Sequence, residues 1–288
     1  MTKSILLGSA FGVLIAFGAA LSMAAPAVAQ DAECPAGLPL ATPGKLTMSI
    51  NATIPPKQYI NADGELVGLH VDLGNEIAKR LCLEPEFMNV AFEVQIPGLQ
   101  TKRWDMINTG LYYTDERAKI MQLIPYTINA LALIVADGNP LGVATPEDLA
   151  GKVVGVEIAG FEEKKIREIN DEQVAKGLAP MDIRVFNTYG DTFLALGAGQ
   201  IEAVFAGDAI GKYYQEQGKF TMAVTGLYPG SPGVFATIEP AIADAIVVAL
   251  NSMLEDGTYN ALMDRDGATK IETWPTWEGR FAAYFFPE

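Results

Sequence analysis

The segment from Gly110 to Arg117 holds the residues best suited to grip a small carboxylate. Gly110 follows a short apolar run and lacks a side chain, so the backbone there can approach a ligand closely. Thr114 is suited to cap a new helix, whose free N–H groups attract an anion. Arg117 would lie one turn into that helix, where its planar guanidinium can hold a carboxylate by two parallel hydrogen bonds. The alternative for Arg117 is a surface residue paired with a nearby acid.

Composition and charge exclude several other functions. The 288 residues include 20 basic and 35 acidic side chains, giving a formal net charge of -15, and this excess of acid repels the phosphates of nucleic acids. Because the chain has one histidine, a histidine-rich zinc site is excluded and a Ser-His-Asp triad would have to use His70. The sequence shows neither paired-cysteine metal spacing nor a complete dinucleotide fingerprint, so we predict no metal and no cofactor.

The beginning of the chain predicts export. Lys3 precedes a mostly apolar, uncharged run from Ile5 to Ala29, which closes on an A-x-A cleavage site and predicts a cleaved signal peptide over residues 1–29. An uncleaved membrane anchor is the alternative, since the run is long enough to span a bilayer. In an oxidising compartment Cys34 and Cys82 would form a disulfide, whereas two unpaired thiols are the alternative.

Strands and helices alternate along the rest of the chain. The hydrophobic pattern predicts strands at 45–51, 88–92 and 106–109, with helices at 72–81 and 96–102, the first of them capped by Asp72. This βαβαβ order indicates a mainly parallel sheet covered on both faces, and residues 153–217 repeat the same order. The extended segments 130–136 and 222–237 connect the two blocks, and a long amphipathic helix runs from Pro240 to Glu255. We therefore expect two α/β lobes facing each other across a ligand-binding cleft.

Several motifs, in order along the chain, resemble those of one protein family. They are GELVGLHVDL at 64–73, IPGL at 96–99, GLYYTDER at 110–117, PY at 125–126 and DGTY at 256–259. Together they resemble the polar amino-acid class of periplasmic solute-binding proteins that feed ABC transporters, bacterial extracellular solute-binding protein family 3. The resemblance extends from about Lys45 to Met263.

The resemblance implies a type II periplasmic-binding-protein fold, or Venus flytrap, with two α/β lobes joined by a hinge of crossover strands. On this basis we divide the chain into a signal peptide (1–29), a first lobe in two segments (30–134 and 229–288) and a second lobe (135–228). The family implies a periplasmic, monomeric protein that captures an amino acid or related small carboxylate. It would present this ligand to an inner-membrane ABC permease.

The resemblance also assigns site residues. The carboxylate-binding arginine of the family corresponds to Arg117, and Phe92 matches a position where the family often places a wall against the ligand. An ordinary core phenylalanine is the alternative for Phe92. Gly110 and Tyr112 from the same motif, and Phe161 from the loop at 157–162, complete the predicted ligand contacts.

The sequence departs from the family at other positions. Ile54 and Lys57 stand where aromatic residues are usual, so one wall of the usual clamp is missing. The acid that would hold a ligand ammonium group is replaced by Gly207, with Asp208 one place later. Asp208 either takes the ammonium role through a local shift or caps the helix that follows.

We expect a binding protein and not an enzyme. The alternative is a periplasmic enzyme on the same scaffold, as in the dehydratases that resemble this family. Such an enzyme needs a positioned acid or base in the cleft, and Glu157 is the candidate in the second-lobe loop.

Overall fold

The computed structural model describes residues 34–272, so the predicted signal peptide lies outside the described residues. Within this range no helix has both the length and the apolar character needed to cross a bilayer. The strands are β1 (Lys45–Ile50), β2 (Thr53–Ile54), β3 (Gln58–Ile60), β4 (Leu66–Val67), β5 (Glu84–Asn89), β6 (Met106–Ile107), β7 (Gln122–Ala136), β8 (Val153–Glu157), β9 (Asp182–Phe186), β10 (Ala203–Gly207) and β11 (Phe220–Thr237). The helices are α1 (Leu69–Arg80), α2 (Gln95–Gln100), α3 (Asp115–Ala118), α4 (Phe161–Ala175), α5 (Tyr189–Gly197), α6 (Asp208–Glu216), α7 (Pro240–Glu255) and α8 (Thr258–Arg265), with 3-10 turns at Phe92–Val94 and Pro146–Leu149.

One eight-stranded sheet runs through the described chain in the order β5-β1-β6-β11-β7-β10-β8-β9. Strands β5, β1 and β6 are mutually parallel, as are β10, β8 and β9, which confirms the prediction of parallel pairing within each block. We call the first group and its helices the first lobe, and the second group and its helices the second lobe. A small antiparallel sheet of β2, β3 and β4 lies before α1.

The long strands β7 and β11 join the two lobes as an antiparallel pair at the middle of the sheet. Their register shifts repeatedly between Met222 and Ser231, opposite the part of β7 from Asn129 to Ile134. Irregular pairing of this kind bends a strand. The predicted crossover segments therefore form a hinge between the lobes.

Apolar side chains cover both faces of the sheet in each lobe. In the first lobe, α1 and α7 bury Ile77 and Leu250 on one face, while Trp104 and Leu99 belong to a separate cluster. Two further clusters in the second lobe contain Ile166 of α4 and Phe193 of α5. Each lobe is thus the layered α/β unit that the alternation of elements predicted.

Several predicted element boundaries were wrong, among them the start of the first helix and the end of the second predicted strand. Helix α1 begins at Leu69 after Gly68, so Asp72 lies inside the helix and does not cap it. Its carboxylate instead pairs with the Arg265 guanidinium at 2.7 Å. The strand predicted at 88–92 corresponds to β5, which ends at Asn89. Phe92 starts a 3-10 turn instead of ending the strand.

A disulfide joins Cys34 to Cys82, which confirms the predicted pairing. The two Cα atoms are 5.6 Å apart, and 48 residues separate the cysteines in sequence. The bond ties the segment before β1 to the end of α1.

Candidate functional site

A small cavity lies where several strands end. Glu157 ends β8, Gly207 ends β10, and Gly110 follows β6. The cavity has a volume of about 30 Å³, which is room for about one or two water molecules. Its lining residues come from both lobes and from β7: Ile54, Lys57, Phe92, Gly110, Tyr112, Asn129, Glu157, Glu162, Tyr189, Gly207, Ala209 and Ile210. The carboxyl ends of strands are the expected place for a ligand in this kind of sheet.

An open groove of about 960 Å³ lies beside the cavity. Lys57, Asn129 and Ala209 line both spaces, and the Lys57 Nζ donates a hydrogen bond to Asn129 Oδ1 at 2.8 Å. These side chains therefore form the partition between the cavity and the groove.

Arg117 lies beside the cavity wall and is held in place by backbone atoms. Thr114 caps α3, as predicted, because its Oγ1 accepts a hydrogen bond from the Arg117 N–H at 3.2 Å. The Arg117 guanidinium donates to the Tyr112 carbonyl at 2.8 Å and to the Ala159 carbonyl at 3.3 Å. Its Cζ atom is 5.6 Å from the centre of the Phe92 ring.

The alternative of a surface ion pair is wrong for Arg117. The residue is only 9% exposed. No carboxylate oxygen of the described residues lies within 4.0 Å of the Arg117 guanidinium nitrogens, the limit for an ion pair. Burial lowers the pKa of Arg117, while the charge of Glu162 acts in the opposite direction. The guanidinium is therefore a desolvated cation that lacks a close counter-ion.

The predicted aromatic contacts occupy two layers around the cavity. Phe92 and Tyr112 line it directly, and Phe92 also packs in the cluster that contains Trp104, so it is both a wall and a core residue. Phe161 lies one layer out, and its ring stacks on Tyr112 with the ring centres 5.1 Å apart. Gly110 lines the cavity as predicted, whereas Arg117 and Phe161 lie against its lining residues.

Two buried carboxyl groups from the second lobe face the cavity. Glu157 Oε1 accepts a hydrogen bond from Asn51 Nδ2 at 2.6 Å, which joins the lobes. Burial raises the pKa of Glu157 well above its ordinary value, and the neighbouring Glu162 raises it further. Burial also raises the pKa of Glu162, although hydrogen bonds from its own N–H and from Tyr189, together with the charges of Arg117 and Lys57, act against this shift.

Glu162 and Lys57 are the charged residues lining the cavity that sequence reasoning did not assign to the site. Glu162 was predicted only as the last residue of the loop at 157–162 and the first of a helix, yet an acid in the first turn of a helix that follows a strand-end loop is a usable signal. Lys57 was noted only as a lost aromatic residue, whereas its ammonium group lies at the wall of the cavity. Desolvation lowers the pKa of Lys57, and the charges of Asp208 and Glu162 oppose that shift.

Asp208 does not cap α6. The cap residue is Gly207, and Asp208 is the first residue of the helix with no side-chain capping bond, so the capping interpretation was wrong. Asp208 lines the groove, while its neighbours Gly207 and Ala209 line the small cavity. Its suggested role as an ammonium ligand stays a prediction.

Comparison with known proteins places this arrangement in a family. The model of the bacterial extracellular solute-binding proteins, family 3, matches residues 46–265. The ABC transporter arginine-binding protein 1 of Escherichia coli (strain K12) is 29% identical over 229 residues, which cover 77% of this chain and 90% of that protein. The L-cystine-binding protein TcyJ of the same organism is 26% identical over 234 residues, covering 77% and 82%.

Solved structures show the same fold. The structure of an ancestral arginine-binding protein bound to arginine superposes with a TM-score of 0.71 at 28% identity, covering 77% of this chain and 97% of that one. A mutant of ArgBP from T. maritima gives a TM-score of 0.70 at 26% identity, covering 77% and 94%. The fold is thus the type II periplasmic-binding-protein fold, and the chain belongs to the bacterial extracellular solute-binding proteins, family 3.

Proposed function

We propose that this protein captures a free amino acid, or a closely related small carboxylate, between its two lobes and presents it to an ABC permease of the inner membrane. One observation carries the proposal: the Arg117 guanidinium is buried next to the cavity and has no carboxylate within 4.0 Å among the described residues. A desolvated cation is costly unless it is paired. The carboxylate of a ligand supplies the missing partner.

The surrounding residues support a carboxylate at this position. The Tyr112 and Ala159 carbonyls fix the direction of the guanidinium, whose planar fork offers further N–H donors. Phe92 closes one side of the cavity, and Gly110 allows the backbone to come near the ligand. The stack of Phe161 on Tyr112 stiffens the wall from behind.

An acid is also needed for the ammonium group of an amino acid, and two carboxylates compete for this role. Glu162 lines the small cavity and interacts with the charge of Arg117, whereas Asp208 lines the groove beyond Lys57. We assign the main ammonium contact to Glu162. Asp208 contributes through its charge on Lys57.

A second candidate function is catalysis, and the state of Glu157 favours it. A buried carboxyl group with a raised pKa has the property required of a general acid. Its hydrogen bond to Asn51 gives the same residue a role in lobe closure. Because a closure contact accounts for Glu157 without any reaction, we favour capture of the ligand without turnover.

The proposal also includes the cellular location of the protein and the division of its chain into lobes. Residues 1–29 would direct export and be removed, leaving a monomer in the periplasm. The lobes would comprise residues 30–134 with 229–288, and residues 135–228. The hinge strands β7 and β11, which pass between the lobes, support this division.

A thermal-shift screen followed by calorimetric titration tests the function. The panel contains the L-amino acids, dicarboxylates and amines, and native mass spectrometry identifies any molecule that co-purifies. A ligand at a hundred times its Kd should add about 2.7 kcal/mol to the free energy of unfolding. The function is contradicted if no carboxylate on the panel stabilises the protein. Recovery of a chemically altered ligand would favour the enzyme.

A further inference from the structure

The backbone of Lys57 is fixed against the start of α1. Its carbonyl accepts a hydrogen bond from the His70 N–H at 2.9 Å. Gly68 has a φ of 121°, and a Cβ atom there would lie 2.4 Å from the Lys57 carbonyl oxygen, so only glycine fits. The loop before β3 therefore holds Lys57 at the partition between the cavity and the groove.

Among residues 34–272, one side chain accepts a hydrogen bond from the Lys57 ammonium group, and its position is equally constrained. Asn129 on β7 accepts from Nζ through Oδ1 at 2.8 Å. On β11, Gly233 pairs with Thr127, and a Cβ atom at Gly233 would lie 2.7 Å from Asn129 Nδ2 and 2.7 Å from Thr127 Cγ2. The absence of a side chain at Gly233 thus leaves the space in which Asn129 turns its oxygen toward Lys57.

Asn129 leaves the ammonium group incompletely satisfied. A lysine ammonium has three donors, and Asn129 uses one of them. No carboxylate oxygen of the described residues lies within 4.0 Å of Lys57 Nζ, the limit for an ion pair. Asp208 and Glu162 act on it from farther away and favour its charged form against desolvation. The partition consequently presents a cation with free donors at the edge of the ligand cavity.

We propose that Lys57 selects a ligand with a second anionic group, namely an amino acid with an acidic side chain. This inference rests on the proposed function. Arg117 holds the α-carboxylate, and the distal carboxylate bonds to Lys57 where the cavity meets the groove. A guanidinium or ammonium side chain at the same place would meet the charge of Lys57 and would be rejected.

The test uses pairs of ligands that match in shape and differ by one charge. Purified protein is titrated calorimetrically with L-glutamate and L-glutamine, with L-aspartate and L-asparagine, and with L-arginine. In at least one pair the acid should bind more tightly than the amide by roughly tenfold or more, the range of a charge-assisted hydrogen bond. L-Arginine should bind more weakly than that acid.

Two substitutions separate a direct contact between Lys57 and the ligand from a general effect of positive charge near the site. Lys57→Met keeps the apolar stem and should bring the acid-to-amide ratio close to one, with Lys57→Gln as a second variant if the methionine variant unfolds. Lys212→Met makes the same change on the groove, where Lys212 is exposed and pairs with Glu216 at 3.8 Å, and it should keep the wild-type ratio.

The outcomes distinguish this inference from the proposed function. Preferred binding of L-arginine, or an unchanged acid-to-amide ratio in a folded Lys57 variant, overturns the role of Lys57 while the binding function stands. Failure of every carboxylate to bind overturns the function and this inference with it.

Discussion

At the scale of single residues, Arg117 carries most of the proposed affinity. Arg117→Ala should cost on the order of 2 to 5 kcal/mol of ligand binding free energy, because the ligand carboxylate would lose its charged partner in a desolvated site. Arg117→Lys should restore little, since a lysine lacks the planar fork. Calorimetric titration with the ligand found in the screen measures both.

The matched control for Arg117 is Arg167→Ala, which removes a half-exposed arginine paired with Glu163 on α4. That variant should bind like the wild type. Equal affinities for the Arg117 and Arg167 variants would refute the carboxylate assignment.

Removing the negative charge of Glu162 and removing that of Asp208 should have different effects on ligand affinity. Glu162→Gln should weaken an amine-bearing ligand by about 1.5 to 3 kcal/mol, the value of a lost charge-assisted hydrogen bond. Asp208→Asn should cost less than about 0.5 kcal/mol, since Asp208 lines the groove and not the small cavity. Titration of both variants with one ligand decides the assignment, and the reverse order of losses would place the ammonium group at Asp208.

Glu157 should make stability depend on pH. Its pKa in the folded chain lies well above the ordinary value of 4.5, so the folded state keeps a proton that the unfolded state releases above that pH. The stabilisation that protonated Glu157 adds to the free energy of unfolding is therefore complete below about pH 4.5. It is lost as the pH rises through the pKa of Glu157 in the folded chain, at up to about 1.4 kcal/mol per pH unit. Glu157→Gln removes this titration and keeps an oxygen for Asn51.

Urea unfolding of the wild type and the Glu157→Gln variant between pH 5 and pH 8 measures the effect. The free energy of unfolding should fall more steeply with pH in the wild type. Glu162, whose pKa shifts in the same direction, is present in both proteins. Parallel pH curves would show that Glu157 is already ionised in the folded chain.

At the scale of elements, the disulfide should stabilise the first lobe. It closes a loop of 48 residues between the segment before β1 and the end of α1. Replacing both cysteines by serine should lower the free energy of unfolding by about 2 to 4 kcal/mol, because the unfolded chain regains the entropy of that loop. Urea unfolding measures the loss, and a variant as stable as the wild type would contradict it.

At the scale of the whole molecule, ligand binding should close the lobes. Across the cleft, Asn51 contacts Glu157 at 2.6 Å, Lys164 contacts Glu116 at 3.1 Å, and Arg117 contacts the Ala159 carbonyl at 3.3 Å. A cavity of about 30 Å³ is too small for an amino acid to enter without opening. The hinge strands β7 and β11 allow such opening because their pairing is irregular.

Small-angle scattering checks closure. The radius of gyration should decrease on addition of a saturating ligand. Arg117→Ala at the same ligand concentration should stay expanded. An unchanged radius in the wild type at saturation would indicate a rigid pocket.

Local sequence patterns determined much of the fold. Helix α7 spans Pro240 to Glu255 as predicted, because a proline at its start and an Asp-Gly turn after its end mark both limits. Thr114 capped α3 for the same kind of local reason. The start of α1 was misplaced, because Gly68 turns the chain before Leu69 while Asp72 is drawn into a pair with Arg265, which lies 193 residues away.

The sequence by itself determined the family, the two-block order of strands and helices and the place of Arg117, since each rests on neighbouring residues or on motifs in order. The cysteine pair was predicted from the signal for export and from the presence of two cysteines. Only the tertiary structure decided which charges share the site. Asn51 meets Glu157 across 106 residues, and Lys57 meets Asn129 across 72. The pKa and the role of such groups depend on desolvation and on partners distant in sequence, which no local pattern records.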